Sequence, residues 1–390
     1  MTGRRTEPEA MNVLVIGAGI GGLSSAIALA KAGHAVTLAE KMERFEPAGA
    51  GIVLAPNAAR ALESLGVELA SRGYALPSLD LVRADGRLIQ RIEPQEADGR
   101  YGPTWALSRP ALHEALLAAL PSSVEVRLGT EVTDLLEEER GIEVQLDRTR
   151  RFDLAVAADG LRSAVRDRVM GAVPVRYSGV TCWRGLVPNP GFGVSVEAWG
   201  GAARIGVVPL TAGQLYYFLV LSAPRRAPPL EWPDGFQRAF GHFRGEVARL
   251  FDVLREAPPL HHDLDELEVP IWGRNRVLLL GDAAHGMTPN QGQGAAMAIE
   301  DAVVLVRAVA PGVHGALDRY RSLRHARVRR VQLDSRRLGR IAHWRAPLAR
   351  WLRDALLSAL PESAGRAQYR RVVGPGLALL RPTTVTACGP

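Results

Sequence analysis

Gly17-Ala18-Gly19-Ile20-Gly21-Gly22 is a GxGxxG turn, and it lies between an apolar run of strand length, Asn12 to Ile16, and a small and apolar stretch with helical spacing, Leu23 to Ala32. Such a turn is built to hold a phosphate. Gly17 permits the tight bend, Gly19 lets a pyrophosphate approach the backbone, Gly22 allows helix and strand to pack closely, and the helix N-terminus offers free N–H groups to negative charge. Glu40 ends the next strand, His34 to Glu40, eighteen residues beyond Gly22, where a carboxylate can accept hydrogen bonds from the ribose of an adenosine. Strand, turn, helix, strand and distal Glu together predict dinucleotide binding. A lone GxGxxG would predict only a glycine turn.

Two further segments carry chemistry. Asp159-Gly160 ends the apolar run Leu154 to Ala158 and is followed by Arg162, Ser163 and Arg166. Taken alone, Asp159 reads as a cap for the next helix, since a carboxylate accepts free N–H groups there. Gly281-Asp282-Ala283-Ala284-His285 ends another apolar run, and Pro289 and Gly292-Gln293-Gly294 follow at the start of a long helical pattern reaching Ala310. Asp282 stands at a strand's carboxyl end, where open α/β sheets bind ligands, and can accept hydrogen bonds from a polyol. The glycines opening the helix leave N–H groups beside the positive end of its dipole, which suits a delocalised anion.

The elements that position these residues follow from the patterning. The first βαβ unit demands parallel strands and a right-handed crossover, so the chain opens as a doubly wound α/β domain. From about 171 to 274 the texture changes to short alternating runs, among them Arg204–Val208 and Leu215–Leu221, broken by Pro and Gly clusters. This predicts a mainly antiparallel inserted sheet. The apolar run Arg276–Leu280 then resumes the nucleotide domain, which is therefore discontinuous.

Composition bounds the partners. The chain has 390 residues and 47% hydrophobic content, enough for a large core; 48 basic residues, nearly all Arg, exceed 41 acidic ones and are spread along the chain. A mild preference for anionic ligands follows, and nucleic acid does not. The densest basic run, Arg319 to Arg340, alternates with apolar positions at helical spacing and reads as a solvated helix face. Cys182 and Cys388 fit neither a disulfide framework nor a metal site and suit a reducing cytoplasm. The residues before Met11 read as a loose extension. No apolar run reaches the roughly 18 residues of a membrane span, so no stable insertion is expected, although a membrane-surface role for the C-terminal helix stays open.

The order GxGxxG, Asp-Gly, Gly-Asp resembles the para-hydroxybenzoate hydroxylase class of FAD-dependent monooxygenases across residues 11 to 355, with the wording Ala157-Ala158-Asp159-Gly160-Leu161-Arg162-Ser163 and Leu280-Gly281-Asp282-Ala283-Ala284-His285 carrying the likeness. The segment from Tyr177-Ser178-Gly179 to Trp183-Arg184-Gly185 is similar to the salicylate and urate hydroxylase branches. The resemblance implies that Gly17, Gly19, Gly22 and Glu40 hold the ADP half of FAD, that Asp282 holds the ribityl chain, and that Asp159 stands near the pyrophosphate and the nicotinamide entry. Gly292, Gln293 and Gly294 would face the pyrimidine edge of the flavin, Pro289 its reacting carbon, and Arg109, in Ser108-Arg109-Pro110, the flavin side. Lys41 and Ala295 join their neighbours as expected cofactor-side positions. Where many relatives have Asn, this chain has Ala296, so backbone must serve there. FAD is the implied cofactor, and NADPH or NADH, with no dinucleotide domain of its own, the transient reductant. The implied reaction passes an oxygen from a flavin hydroperoxide to a small aromatic or conjugated substrate in a pocket kept free of water.

The expected boundaries are 11–75, 101–170 and 276–330 for the FAD-binding domain, 76–100 and 171–275 for the substrate sheet, and 331–390 for C-terminal helices. On that sheet Arg204, Tyr216 and Trp183 are substrate candidates, with edge Arg and ordinary sheet Tyr as the plain alternatives. His285 is a candidate base, with a packing role as its alternative. A monomer or homodimer is expected. A simple NAD-dependent dehydrogenase would not need the two downstream motifs, and the Trp-x-Trp-x-Ile-Pro segment of a flavin-dependent halogenase is missing. A flavin-dependent reductase and a non-catalytic FAD-binding redox module stay open.

Overall fold

The structure, a computed structural model, describes residues 10–45, 49–94, 101–132, 134–256, 258 and 260–380. The extension at residues 1–9 and Cys388 lie outside them.

A six-stranded sheet forms the nucleotide half. Its order is Gly273–Arg274, Val277–Leu279, Leu154–Ala157, Asn12–Ile16, Ala35–Ala39, Glu125–Arg127. All neighbours pair in parallel except the edge hairpin Gly273–Arg274 with Val277–Leu279. The central strands are continuous apolar runs because helices or hairpins cover both faces, and Val13, Leu14 and Val15 are fully buried. The register sets Ile16 beside Ala157 and Ala157 beside Leu279. Parallel strands end at one edge, so the chain's three motifs emerge side by side although 264 positions separate Gly17 from Gly281 (281 − 17).

The second large sheet has seven strands in the order Leu260–Leu267, Val175–Pro188, Gln214–Ser222, Ala203–Pro209, Ser195–Trp199, Leu79–Arg83, Leu88–Ile92. It is antiparallel apart from Ser195–Trp199 against Leu79–Arg83. That one parallel pairing joins the early strands of 76–94 to the sheet built by 171–275. Behind the sheet a separate core gathers Trp183, Phe236, Phe240 and Phe243.

Helix Ile20–Lys31 packs on helix Gly294–Val309, which in turn rests on the basic helix Ala316–Ala342. Here the structure corrects the sequence. The basic helix is unbroken across residue 330, and it is not simply a solvated face: Arg324 is fully buried, donating to Glu300 at 2.7 Å and Asp301 at 2.6 Å, while Arg336 donates to buried Glu266 at 2.9 Å. Arg and apolar residues alternate in the same way whether the Arg meets water or a buried carboxylate. The carboxylates responsible are remote in sequence.

Candidate active site

The phosphate turn has the geometry its glycines require. Gly17 has φ +96°, and a Cβ there would stand 2.7 Å from the Ala158 carbonyl oxygen; a Cβ on Gly22 would reach within 1.8 Å of the Gly17 oxygen. Neither position tolerates a side chain. A Cβ on Gly19 would meet nothing within 4 Å, so the turn is packed behind and open in front. The helix that follows has no side-chain cap and no acidic residue in its first turn, and the same holds for helix Gly294–Val309. Two uncapped helix N-termini therefore border one cleft of about 520 Å³. Unpaired N–H groups and the positive dipole end at each make them receptive to anions.

From the nucleotide half the cleft is lined by Gly19, Glu40, Asp282, Gly292, Gly294 and Ala295, with Arg109 and Pro289 also on its wall. Glu40 accepts the Ala18 N–H at 2.7 Å and the Met42 N–H at 3.0 Å, which fixes its carboxylate beside the turn. Asp282 is exposed at the cleft. Asp159 does cap: one oxygen accepts the Val165 N–H at 3.2 Å, and the other is buried without a partner among the described residues. Capping and a second role are thus compatible, because each oxygen has its own surroundings.

The sheet contributes the opposite wall. Side chains alternate along a strand, so Cys182 and Arg184 face the cleft while Trp183 points into the aromatic core, stacked on His261 at 4.5 Å. Tyr216, Phe218 and Val220 likewise share the cleft face. The Tyr216 phenol is pushed up to about 12 by burial and stays a donor. Arg204 is buried, and its guanidinium is engaged at both ends, by Glu197 at 3.1 Å and by Asn290 at 2.8 Å. It therefore ties the sheet to the segment that holds Pro289.

Arg184 donates to His262 Nε2 at 2.6 Å. Burial, reinforced by the Arg184 charge, depresses His262 to about 4 and keeps it a neutral acceptor. Arg184 Nε, Arg109 Nε and Arg204 Nε are all buried without partners, so three guanidinium N–H groups at the cleft lack an acceptor among the described residues. Burial and the nearby Arg184 charge lower the Arg109 pKa. A buried donor without a partner costs about 1 to 3 kcal/mol, a cost that a bound oxygen would relieve.

Several sequence candidates do not reach the cleft. Gly17 and Gly22 lie beneath the turn, Lys41 is exposed beside it, and the Gln293 side chain turns inward to accept from Asn57 at 3.0 Å. His285 is 1% exposed, with Nε2 at 2.6 Å from Asp301 and its ring against Trp272. It has the packing role, away from the cleft. Sequence reasoning missed Arg184, His113, Glu197, Phe218 and Asn290. Period-two alternation around the inward Trp183 was the signal that could have singled out Arg184.

The family described as FAD binding domain matches residues 10–182 and 265–335. Among curated relatives, 2-heptyl-3-hydroxy-4(1H)-quinolone synthase of Pseudomonas aeruginosa is 36% identical over 377 residues, covering 93% of this chain and 97% of the relative. Aurachin C monooxygenase/isomerase of Stigmatella aurantiaca is 34% identical over 376 residues, with the same two coverages of 93% and 97%. Among solved structures, Klebsiella pneumoniae HpxO complexed with FAD and uric acid superposes with a TM-score of 0.85 at 27% identity, over 94% of this chain and 97% of that one. The gap in the family match, between residues 182 and 265, falls on the seven-stranded sheet, the part that faces the cleft from the other side. The chain belongs to the FAD binding domain family and, within it, to the flavoprotein monooxygenases that its motif order resembles.

Proposed function

We propose that the protein is an FAD-dependent monooxygenase that uses NADH or NADPH and O2 to hydroxylate a small aromatic ring, and that the ring is a fused nitrogen heteroaromatic of the 4-quinolone kind. The observation that carries the reading is one cleft that sets an anion-receptive glycine turn and helix N-termini against a sheet wall on which Val208, Phe218, Val220 and Leu264 surround a polar cluster of Arg184, Glu197, Arg204 and Tyr216. The narrower substrate class rests on the two relatives at 36% and 34% identity, whose names specify an alkylated quinolone and an aurachin.

In this reading Glu40 takes the adenosine ribose, the Gly19 turn the pyrophosphate, Asp282 the ribityl hydroxyls, and the Gly292–Gly294 backbone the pyrimidine edge. FAD, when bound, accepts hydride from the nicotinamide and activates O2. The chain's own residues do the rest. Val208, Phe218, Val220 and Leu264 exclude water from the wall where the ring would lie. Tyr216 donates to a ring oxygen, and the Arg184 guanidinium, held by neutral His262, stabilises negative charge on that oxygen as the neighbouring carbon becomes electron-rich. Arg204, already paired, positions Pro289 through Asn290. The protein works in this reading as a cytoplasmic monomer or homodimer.

The experiment compares NADH and NADPH oxidation by the FAD-loaded protein with 2-heptyl-4-quinolone, salicylate and 3-hydroxybenzoate, with product mass as the second readout. The expected result is stimulated oxidation and a product heavier by one oxygen with the quinolone. Oxygenation of a benzoate alone overturns the substrate class. Nicotinamide oxidation with no oxygenated product from any ring overturns the hydroxylase in favour of a reductase.

A further inference from the structure

Among the described residues, the helix Pro347–Ser358 is held by one face. On that face Arg353 pairs with Asp354 at 2.7 Å, donates to the Ile341 and Ala342 carbonyls at 3.1 Å, and lies over the Trp199 ring at 5.0 Å. The opposite face carries Leu348 at 74% exposure, Trp351 at 60%, Leu352 at 47% and Leu356 at 61%, continued by Trp344 and Leu360 at its two ends. Within the helix, positions 348, 351, 352 and 356 stand three, four or eight apart from position 348, so they form one stripe, and Trp344 is exposed in the linker that leads into it. Single exposed apolar residues are ordinary, but a contiguous stripe with two Trp marks a surface that something covers.

Charge selects the occupant. The only carboxylate between Trp344 and Leu360 is Asp354, which is buried in its ion pair. Arg345, next to Trp344 in the chain, and Arg340, in the last turn of the preceding helix, are exposed. A second copy of this chain, meeting face to face, would bring a second set of the same cations into one interface between molecules of formal charge +7 each. An anionic headgroup layer neutralises them instead. Twelve residues extend about 18 Å, too short to cross the hydrocarbon core, and among the described residues no helix is long and apolar enough to do so. A short helix with Trp and Leu on one side and Arg at the margin lies in the plane of an interface, where Trp rings favour the headgroup level.

We propose that the Trp344–Leu360 face docks the protein on the surface of an anionic lipid bilayer, without insertion. The inference stands on this helix and is independent of the substrate.

The test is vesicle flotation of the full-length, FAD-loaded protein with phosphatidylcholine vesicles and with vesicles that also contain phosphatidylglycerol. The protein is expected to float with the phosphatidylglycerol vesicles and to remain behind with pure phosphatidylcholine. Trp351→Glu and Leu356→Glu should each lower the partition coefficient at least about tenfold, equivalent to about 1.4 kcal/mol, with FAD content and thermal midpoint unchanged. Arg345→Glu should weaken binding and reduce its salt dependence. Wild-type protein that fails to float with phosphatidylglycerol vesicles overturns the proposal, as does undiminished flotation of both Glu variants. Sedimentation velocity decides what replaces it: self-association of wild type that Trp351→Glu abolishes, without vesicle binding, assigns the stripe to a contact between copies.

Discussion

Asp301 holds Arg324 with one carboxylate oxygen and the Gly281–Asp282 turn with the other. Arg324 Nε donates to Oδ1 at 2.6 Å, while Oδ2 accepts the Gly281 N–H at 3.1 Å and lies 2.6 Å from His285 Nε2. Burial alone would raise the Asp301 pKa; the pull of His285 and Arg324 overcomes it and holds the group at about 2. The buried side of the basic helix thereby fixes the turn that presents Asp282.

Arg324→Met should therefore be severely destabilising. It leaves Glu300 and Asp301 facing each other without the cation between them, although Arg327 still reaches Glu300 at 2.6 Å. Breaking a buried pair from one side costs about 3 to 5 kcal/mol. Urea unfolding of the two proteins measures it, and a loss below about 1 kcal/mol would show that the network is solvated rather than load-sharing.

The nucleotide half was legible in the sequence because its information is local. A buried parallel strand is an unbroken apolar run, and its ending in Gly17, Asp159 or Gly281 marks the sheet edge that the cleft borders. The strand Asn12–Ile16 and the helix start at Gly294 stand where the patterning puts them. The sheet wall of the cleft was half legible: Arg204 and Tyr216 reach the cleft, but Arg184 was passed over for its neighbour Trp183, whose side chain points the other way. What stayed hidden was non-local. Nothing near Arg324 in the chain announces Glu300 and Asp301, and nothing near His285 shows that its ring is closed off by Trp272 and Asp301.

Asp282→Ala tests the assignment of that carboxylate to the cofactor. The side chain is exposed at the cleft, so its loss should leave stability nearly unchanged while weakening FAD binding by about 1.5 to 3 kcal/mol, the range for a hydrogen bond to a charged group. Fluorescence titration of apoprotein with FAD gives the dissociation constant. An unaltered constant would leave Asp282 with nothing beyond its place in the short helix that it begins.

Stability should fall on mild acidification. Burial, with the Arg184 charge second, depresses His262 to about 4, and burial, with the Arg204 charge second, depresses His343 to about 3. Below about pH 6.5 the unfolded chain binds protons that the folded chain refuses, so stability present above that pH is lost as pH falls toward those values, by at most about 1.4 kcal/mol per pH unit per proton. Urea midpoints between about pH 7 and about pH 4.5 should decline in wild type and decline less in His262→Asn and His343→Asn. Parallel slopes in all three would assign the acid sensitivity to other groups.

Gly294→Val tests the electrostatic role proposed for the helix it opens. A Cβ at Gly294 would meet nothing closer than Met287 Cγ at 4.0 Å, so the added bulk occupies the cleft and the fold keeps its packing. The helix has no side-chain cap and no acidic residue in its first turn, which leaves its N–H groups free to face a ligand. Negative charge on the flavin's pyrimidine edge appears on two-electron reduction, so a side chain that holds the ring away should harm the reduced state more than the oxidised one. Up to about 2 kcal/mol of dipole stabilisation is at stake in a partly buried geometry. At about 30 mV per 1.4 kcal/mol for a two-electron couple, the potential should fall by a few tens of millivolts. Redox titration of both proteins at saturating FAD reads the difference directly. Coincident potentials with weakened FAD binding would leave the turn a binding role alone.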